Sequence, residues 1–205
     1  MASIIDLFVV FLTSIGFNLI PFAGPSNLFI ASNAALILDC DAATLVLLGF
    51  LIALGAALAK SVHYLVTFFV SKHLSEERRQ RLDAEGVKIK RWAFLLLYGA
   101  AATPIPDEPV VIPLGLMKYS PPKFFVAYFL GKLTITVAGA FLGAWTRGAF
   151  SEWVDPTVMI VLSIVLTIII TVIMLKVDVG KLFGRIFRKK RVVAKPVEQT
   201  QSGPS

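Results

Sequence analysis

Residues 102–115 read ATPIPDEPVVIPLG, with Asp107 and Glu108 adjacent between prolines at 104, 106, 109 and 113. Apolar runs long enough to enter a bilayer flank the stretch on both sides. Prolines disrupt helical hydrogen bonding, and non-helical backbone at membrane depth survives only inside protein or beside water. Two acids in that setting are costly, about 2.5–3.5 kcal/mol each at the centre of a span. The segment therefore predicts an enclosed, hydrated break in a membrane helix.

Composition supports a membrane setting. The chain has 205 residues, 57% hydrophobic and 16% charged, with a mean hydropathy of +0.79. A soluble domain carries about a quarter charged residues. Cations are unevenly placed: none precedes Lys60, seven fall within 72–91, and eight follow from Lys176 onward. The positive-inside rule puts both clusters in the cytoplasm. The net charge of +7 is then matched by anionic inner-leaflet lipids rather than nucleic acid. No basic region precedes the first apolar run, so a cleaved signal peptide is not expected. The lone Cys40 reads as a small buried apolar residue.

Working outward, residues 4–38 are apolar but interrupted by Asn18, Pro21, Gly24, Pro25, Ser26 and Asn27. Each half is short for a full crossing, so a hairpin entering and leaving by one face is predicted, with Ser26 or Asn27 capping the return. Two short or tilted spans are the alternative. Asp39 and Asp41 mark a wet turn before a span at 43–70. A cytoplasmic loop at 71–91 carries a short surface helix from Ser75 to Gly86. A second hairpin covers 92–120, broken by Pro104, Pro106, Pro109 and Pro113. Spans at 121–145 and 157–175 follow, then a basic cytoplasmic tail at 176–205 with a disordered end.

The expected fold is an all-α integral membrane protein of two inverted repeats. Each repeat is a re-entrant helical hairpin plus a long transmembrane helix, and one transmembrane helix is added after them. Residues 1–175 form a single transmembrane domain, multi-pass in the cell membrane, with the N-terminus outside and the C-terminus cytoplasmic. Breaks at matching positions of inverted halves point to a transport site near the midplane.

The candidate site is built on Asp107 and Glu108. Their plainest reading is local, an N-cap and a first-turn acid favoured by the helix dipole. A capping serine would serve that end with less desolvation, which favours a functional role for at least one acid. Lys132 lies too deep in its span to snorkel out, and Lys60 shares a helical face with His63 and Tyr64. Ion pairs between these lysines and the acids are expected, either as helix ties or as a site that opens to an anion. Gly139 with Gly143, and Gly55 with Ala59, suit close helix packing. Trp92, Trp145 and Trp153 fit interfacial anchors. No metal-ligand spacing, cofactor motif or catalytic triad stands out, and an enzyme is not expected.

ATPIPDEPVVIPLG followed by YSPPKFFVAYFLGK (119–132) resembles the DedA family, also called SNARE-associated or VTT-domain proteins. The likeness spans roughly residues 15–145 and looks most like a PIPD-type branch. It implies paired re-entrant hairpins and movement of lipids between leaflets, with a phospholipid or polyprenyl phosphate as partner. Many bacterial members have acids near the first break, where this chain has Asn18 and Asn27. They also carry two arginines around the second break's prolines, where Thr103 and Pro109 stand. Recognition of phosphate through those arginines is therefore not implied. The expected function is a flippase or scramblase of a phosphate-bearing lipid, with or without proton linkage, using Asp107, Glu108, Lys132, Lys60, Thr103 and Asn27. The alternatives are a proton-coupled carrier of a small solute or ion, and a non-transporting membrane scaffold. Homo-oligomerisation is left open.

Overall fold

The computed structural model describes residues 2–21, 24–73, 91–150 and 154–176. All regular structure among the described residues is helical: α1 (Ile4–Leu19), α2 (Asn27–Ile37), α3 (Ala42–Val70), α4 (91–101), α5 (Glu108–Leu116), α6 (Pro121–Phe150) and α7 (Pro156–Lys176). A short 3-10 turn, Ser71–His73, extends α3. The expected surface helix at 75–86, Trp153 and the basic tail lie outside the described residues.

Helix starts follow from local chemistry. Ser3 caps α1 in a reciprocal box with Asp6, Ser26 accepts from the Leu28 N–H, and Asp41 caps α3 through the Thr44 N–H. The span read at 121–145 runs on to Phe150, through Gly148, with Arg147 placed in the last turn where a cation suits the helix dipole. Pro109 and Pro113 are not helix breakers here. Pro109 sits in the first turn of α5, where no N–H donation is required, and the helix continues through Pro113. Cys40 is half-exposed rather than buried, leaning on the core from the wet turn.

Helices α3 and α6 form an antiparallel centre. Gly49 meets Val137 near one end, and Tyr64 stacks on Phe124 at a 4.2 Å centroid distance near the other. The remaining helices pack in a crossed pattern. Helix α1 lies on α3, where the Ser14 hydroxyl donates to the Ile52 carbonyl at 2.8 Å. Helix α4 lies on α6, close enough that a Cβ on Gly131 would stand 2.5 Å from the Tyr98 carbonyl. The second member of each pair goes to the other long helix: α2 packs on α6 over Gly139 and Gly143, and α5 packs on α3 over Gly115. Backbones approach closely in both cases because glycine presents no side chain.

Two apolar cores result. One joins α2, α3 and α6 around Leu48 and Ile52; the other joins α3, α4, α5 and α6 around Tyr64, Leu97, Val111 and Phe124. The exterior is also apolar, with Phe8, Leu12, Val62, Val66, Leu95, Phe141 and Leu162 all exposed. The polar side chains are inside: Ser14, Asn18, Asn27, Lys60, Asp107, Glu108, Lys132 and Thr136 are buried. A water-soluble protein inverts this arrangement. Among the described residues, two helices are long and apolar enough to cross a membrane, α3 with its 3-10 turn and α6. Trp92 and Trp145 are exposed near helix ends, where interfacial anchors sit.

Candidate functional site

The two breaks in the helical path, between α1 and α2 and between α4 and α5, face one another. The first contributes Asn18, Gly24, Pro25, Ser26 and Asn27 to a shared cavity. The second contributes Thr103, Pro104, Ile105, Pro106, Asp107 and Glu108, and Lys60 and Lys132 complete the lining. The cavity offers about 70 Å³ to the centres of water molecules. One water needs at least about 10–15 Å³ on that measure, so there is room for several.

Each charge arrives by a separate route. Lys60 comes from α3 and Lys132 from α6, both in helix interiors and each about 5% exposed or less. Asp107 and Glu108 come from the start of α5 and are equally buried. Lys132 Nζ lies 2.8 Å from Asp107 Oδ2, and Lys60 Nζ lies 3.3 Å from Asp107 Oδ1 and 2.5 Å from Glu108 Oε1. The Tyr128 hydroxyl donates to Asp107 Oδ2 at 2.6 Å, and its ring sits 5.2 Å from Lys132 Nζ. Asp107 is thus held from three sides.

This geometry sets aside side-chain capping by Asp107. The residue does occupy the N-cap position of α5, but its side chain makes no capping hydrogen bond. It is turned to the lysines instead. Its Oδ1 is fully buried and accepts no hydrogen bond of good geometry, holding only the 3.3 Å ionic contact with Lys60. Four charges that sum to zero are therefore gathered where lone ones could not stay.

The first break carries an uncharged counterpart. Asn18 and Asn27 exchange amide hydrogen bonds, Asn18 Nδ2 to Asn27 Oδ1 at 2.9 Å and Asn27 Nδ2 to Asn18 Oδ1 at 3.0 Å. Asn18 also donates to the Ser14 carbonyl at 2.8 Å. Nearby, His63 Nε2 meets the carbonyl of Leu19, the last residue of α1, at 3.0 Å, a contact between a ring N–H and a helix C-terminus.

Of the residues singled out from sequence, Asp107, Glu108, Lys60 and Lys132 meet in one cluster. Asn27, Gly24, Pro25, Pro104, Pro106 and Thr103 line the same cavity, the Thr103 hydroxyl donating to the Ala100 carbonyl. Pro21 is exposed beside the first break, and Pro109 and Pro113 belong to α5. Sequence reading missed Tyr128, Ser14 and the role of Asn18. Among the described residues no group of three or more His, Cys, Asp or Glu side chains could hold a metal.

A family profile, the VTT domain, matches residues 24–145, more than half of the chain. The chain belongs to the VTT-domain family. With its two long apolar helices, this makes it a membrane protein, and a transporter role is consistent with the family. The matched residues take in the end of the first break, the whole of the second, and all four charged residues of the cluster. No curated protein matches the chain significantly, and no solved structure does.

Proposed function

We propose that this VTT-domain protein moves a phosphate-bearing lipid between leaflets, as a flippase or scramblase, through the cavity between the two breaks. The observation that carries the reading is the neutral cluster of Lys60, Lys132, Asp107 and Glu108 at that cavity. A structural ion pair needs no adjoining water-sized space, whereas a transport site does.

The helix lengths support re-entrant hairpins. At 1.5 Å per residue α1 is about 24 Å long and α2 about 17 Å, against a hydrocarbon core of about 30 Å. The Ala2 N–H donates to the Asp39 carbonyl at 3.1 Å, so the pair starts and finishes at one end. The crossed packing, with α1 on α3, α4 on α6, α2 on α6 and α5 on α3, supports two inverted halves. With the basic residues of 72–91 in the cytoplasm, the first hairpin opens outward and the second inward. That orientation puts the N-terminus outside and the tail at anionic inner-leaflet lipids.

Charge counting shapes the mechanism. Two lysines and two carboxylates leave no net charge for an incoming anion to neutralise. A phosphate gains Lys60 and Lys132 only as Asp107 or Glu108 swings aside or takes up a proton. The start of α5 adds backbone N–H groups and the positive end of its dipole. Asn18 and Asn27 line the opposite side of the cavity, their amides paired with each other. The lipid is moved unchanged, with no catalytic chemistry, and the PIPD motif stands in for the arginines of other family members.

The test is a fluorescent-phospholipid flipping assay in liposomes with Asp107→Asn combined with Glu108→Gln. Transport, or its pH dependence, is expected to disappear, and it is read only on protein that elutes as folded, because the change leaves Lys60 and Lys132 without their carboxylates. Flipping at the unaltered rate removes the acids from the mechanism. The small size of the cavity favours one second reading, a proton-coupled carrier of a small solute or ion. Solute uptake in the same liposomes, without lipid flipping, would select it.

A further inference from the structure

A second opening adjoins the charged cavity. It lies between α1, α2 and α7, with walls including Val10, Ile30, Ala34, Ile164, Ile168 and Val172. It offers about 510 Å³ to the centres of water molecules, within the roughly 300–1,000 Å³ of small-molecule sites. Phe17 and Pro25 belong to the walls of both openings, so the groove and the charged cavity meet at the first break.

The groove has polar residues but makes no polar offer. The Thr13 hydroxyl donates to the Val9 carbonyl at 2.8 Å, and the Thr167 hydroxyl donates to the Ser163 carbonyl at 2.8 Å. The Asn33 amide donates to the Phe29 carbonyl at 2.8 Å and to Thr167 Oγ1 at 3.1 Å, and its oxygen accepts from the Ser163 hydroxyl. A polar guest would lose its hydration without recompense. Hydrocarbon fits, and α1 and α7 expose further apolar side chains to the bilayer, Val9, Val161 and Val165 among them.

We propose that the groove between α1, α2 and α7 binds one hydrocarbon chain of a membrane lipid whose phosphate head reaches the charged cavity past Phe17 and Pro25. The proposal deepens the transport reading and rests on it for the destination of the head. The Asn33–Ser163–Thr167 contacts then fix the width of the slot, since they tie α7 to α2.

The experiment uses the full chain in nanodiscs containing a phosphatidylglycerol with a photoreactive diazirine in one acyl chain. A held chain labels α1, α2 and α7 saturably at low mole fraction, and unlabelled phosphatidylglycerol competes it away. Lipid that merely surrounds the protein labels in proportion to its mole fraction. Two variants fill the slot from opposite walls, Ala34→Phe and Ile168→Trp; Ile168 is 57% exposed, so its replacement spares the core. Saturable labelling is expected to fall at least about tenfold in whichever variants elute as folded protein. Linear labelling in the unaltered protein overturns the proposal, as does saturable labelling that Ile168→Trp leaves unchanged. Cross-links from a photoreactive residue at position 168 to a second copy, or to the chain's own tail, also overturn it. Flipping measured on the same preparations separates the two ideas. Linear labelling with active flipping defeats the chain site alone, and saturable labelling without flipping defeats the transport reading alone.

Discussion

Replacing Lys132 by methionine removes one charge from the cluster while keeping an unbranched apolar side chain in its place. Asp107 then keeps the Tyr128 hydroxyl at 2.6 Å and Lys60 at 3.3 Å, but Lys60 must also serve Glu108 at 2.5 Å. Two buried carboxylates share one lysine, and the site carries a net negative charge. Breaking a buried pair by removing one partner costs about 3–5 kcal/mol. Tyr128 and Lys60 cushion the loss, so the lower half, about 3–4 kcal/mol, is the expected destabilisation. Adding Asp107→Asn restores neutrality, because Lys60 and Glu108 remain as a balanced pair. The double variant is therefore expected to be more stable than Lys132→Met alone, with a coupling of about 2–3 kcal/mol, the upper range for residues in contact. Reversible unfolding in mixed detergent micelles, run as a double-mutant cycle on the four proteins, measures this term. Effects that add to within about 0.5 kcal/mol, as for independent sites, would refute the pairing of Lys132 with Asp107.

Four further outcomes follow from packing, backbone geometry and buried amides. Gly143→Ala puts a methyl against the Ser32 carbonyl of α2, backbone against backbone, and is expected to cost about 1–3 kcal/mol. Gly99→Ala on α4, where a Cβ meets nothing within 4 Å, gains about 0.5–1 kcal/mol from helix propensity in the same unfolding assay. Lys118 closes α5 with φ at 51°, while the Tyr119 N–H reaches back to the Leu114 carbonyl at 3.0 Å. Glycine adopts that conformation freely, so Lys118→Gly is expected to raise stability by about 1 kcal/mol, and a fall would contradict the left-handed cap. Asn18→Leu strands the buried amide of Asn27 and is expected to cost about 1–3 kcal/mol. Combining it with Asn27→Leu costs less than the sum of the single changes.

Residues that violate their surroundings were the legible ones. Lys60, Lys132, Asp107 and Glu108 stand out because charge in an apolar run demands a partner, and four such residues can neutralise one another. The breaks at 20–26 and 102–107 were legible because proline and glycine interrupt a hydrophobic pattern. Asn18 was read only as part of a break, since its partner Asn27 lies across a turn with no periodicity to connect them. Tyr128 was hidden among the aromatics of YSPPKFFVAYFL, where a hydroxyl aimed at Asp107 leaves no trace in composition. The crossed packing of α2 and α5 was also out of reach, because it depends on which glycine surfaces fit. Pro109 misled for a simple reason: a helix that begins just before a proline can absorb it, whereas Pro113 lies inside α5, which continues through it.

The four charges of the cluster are not made together. Lys60 leaves the ribosome 47 residues before Asp107 and 72 before Lys132. During synthesis the long helix bearing Lys60 enters the bilayer with a cation that has no carboxylate to meet, leaning on its apolar neighbours alone. The acids arrive second and create a surplus of negative charge that the last lysine cancels. Biogenesis therefore passes through an oppositely charged pair of half-built states, and a chain arrested between residues 108 and 132 is the one an insertion chaperone or a quality-control protease would see.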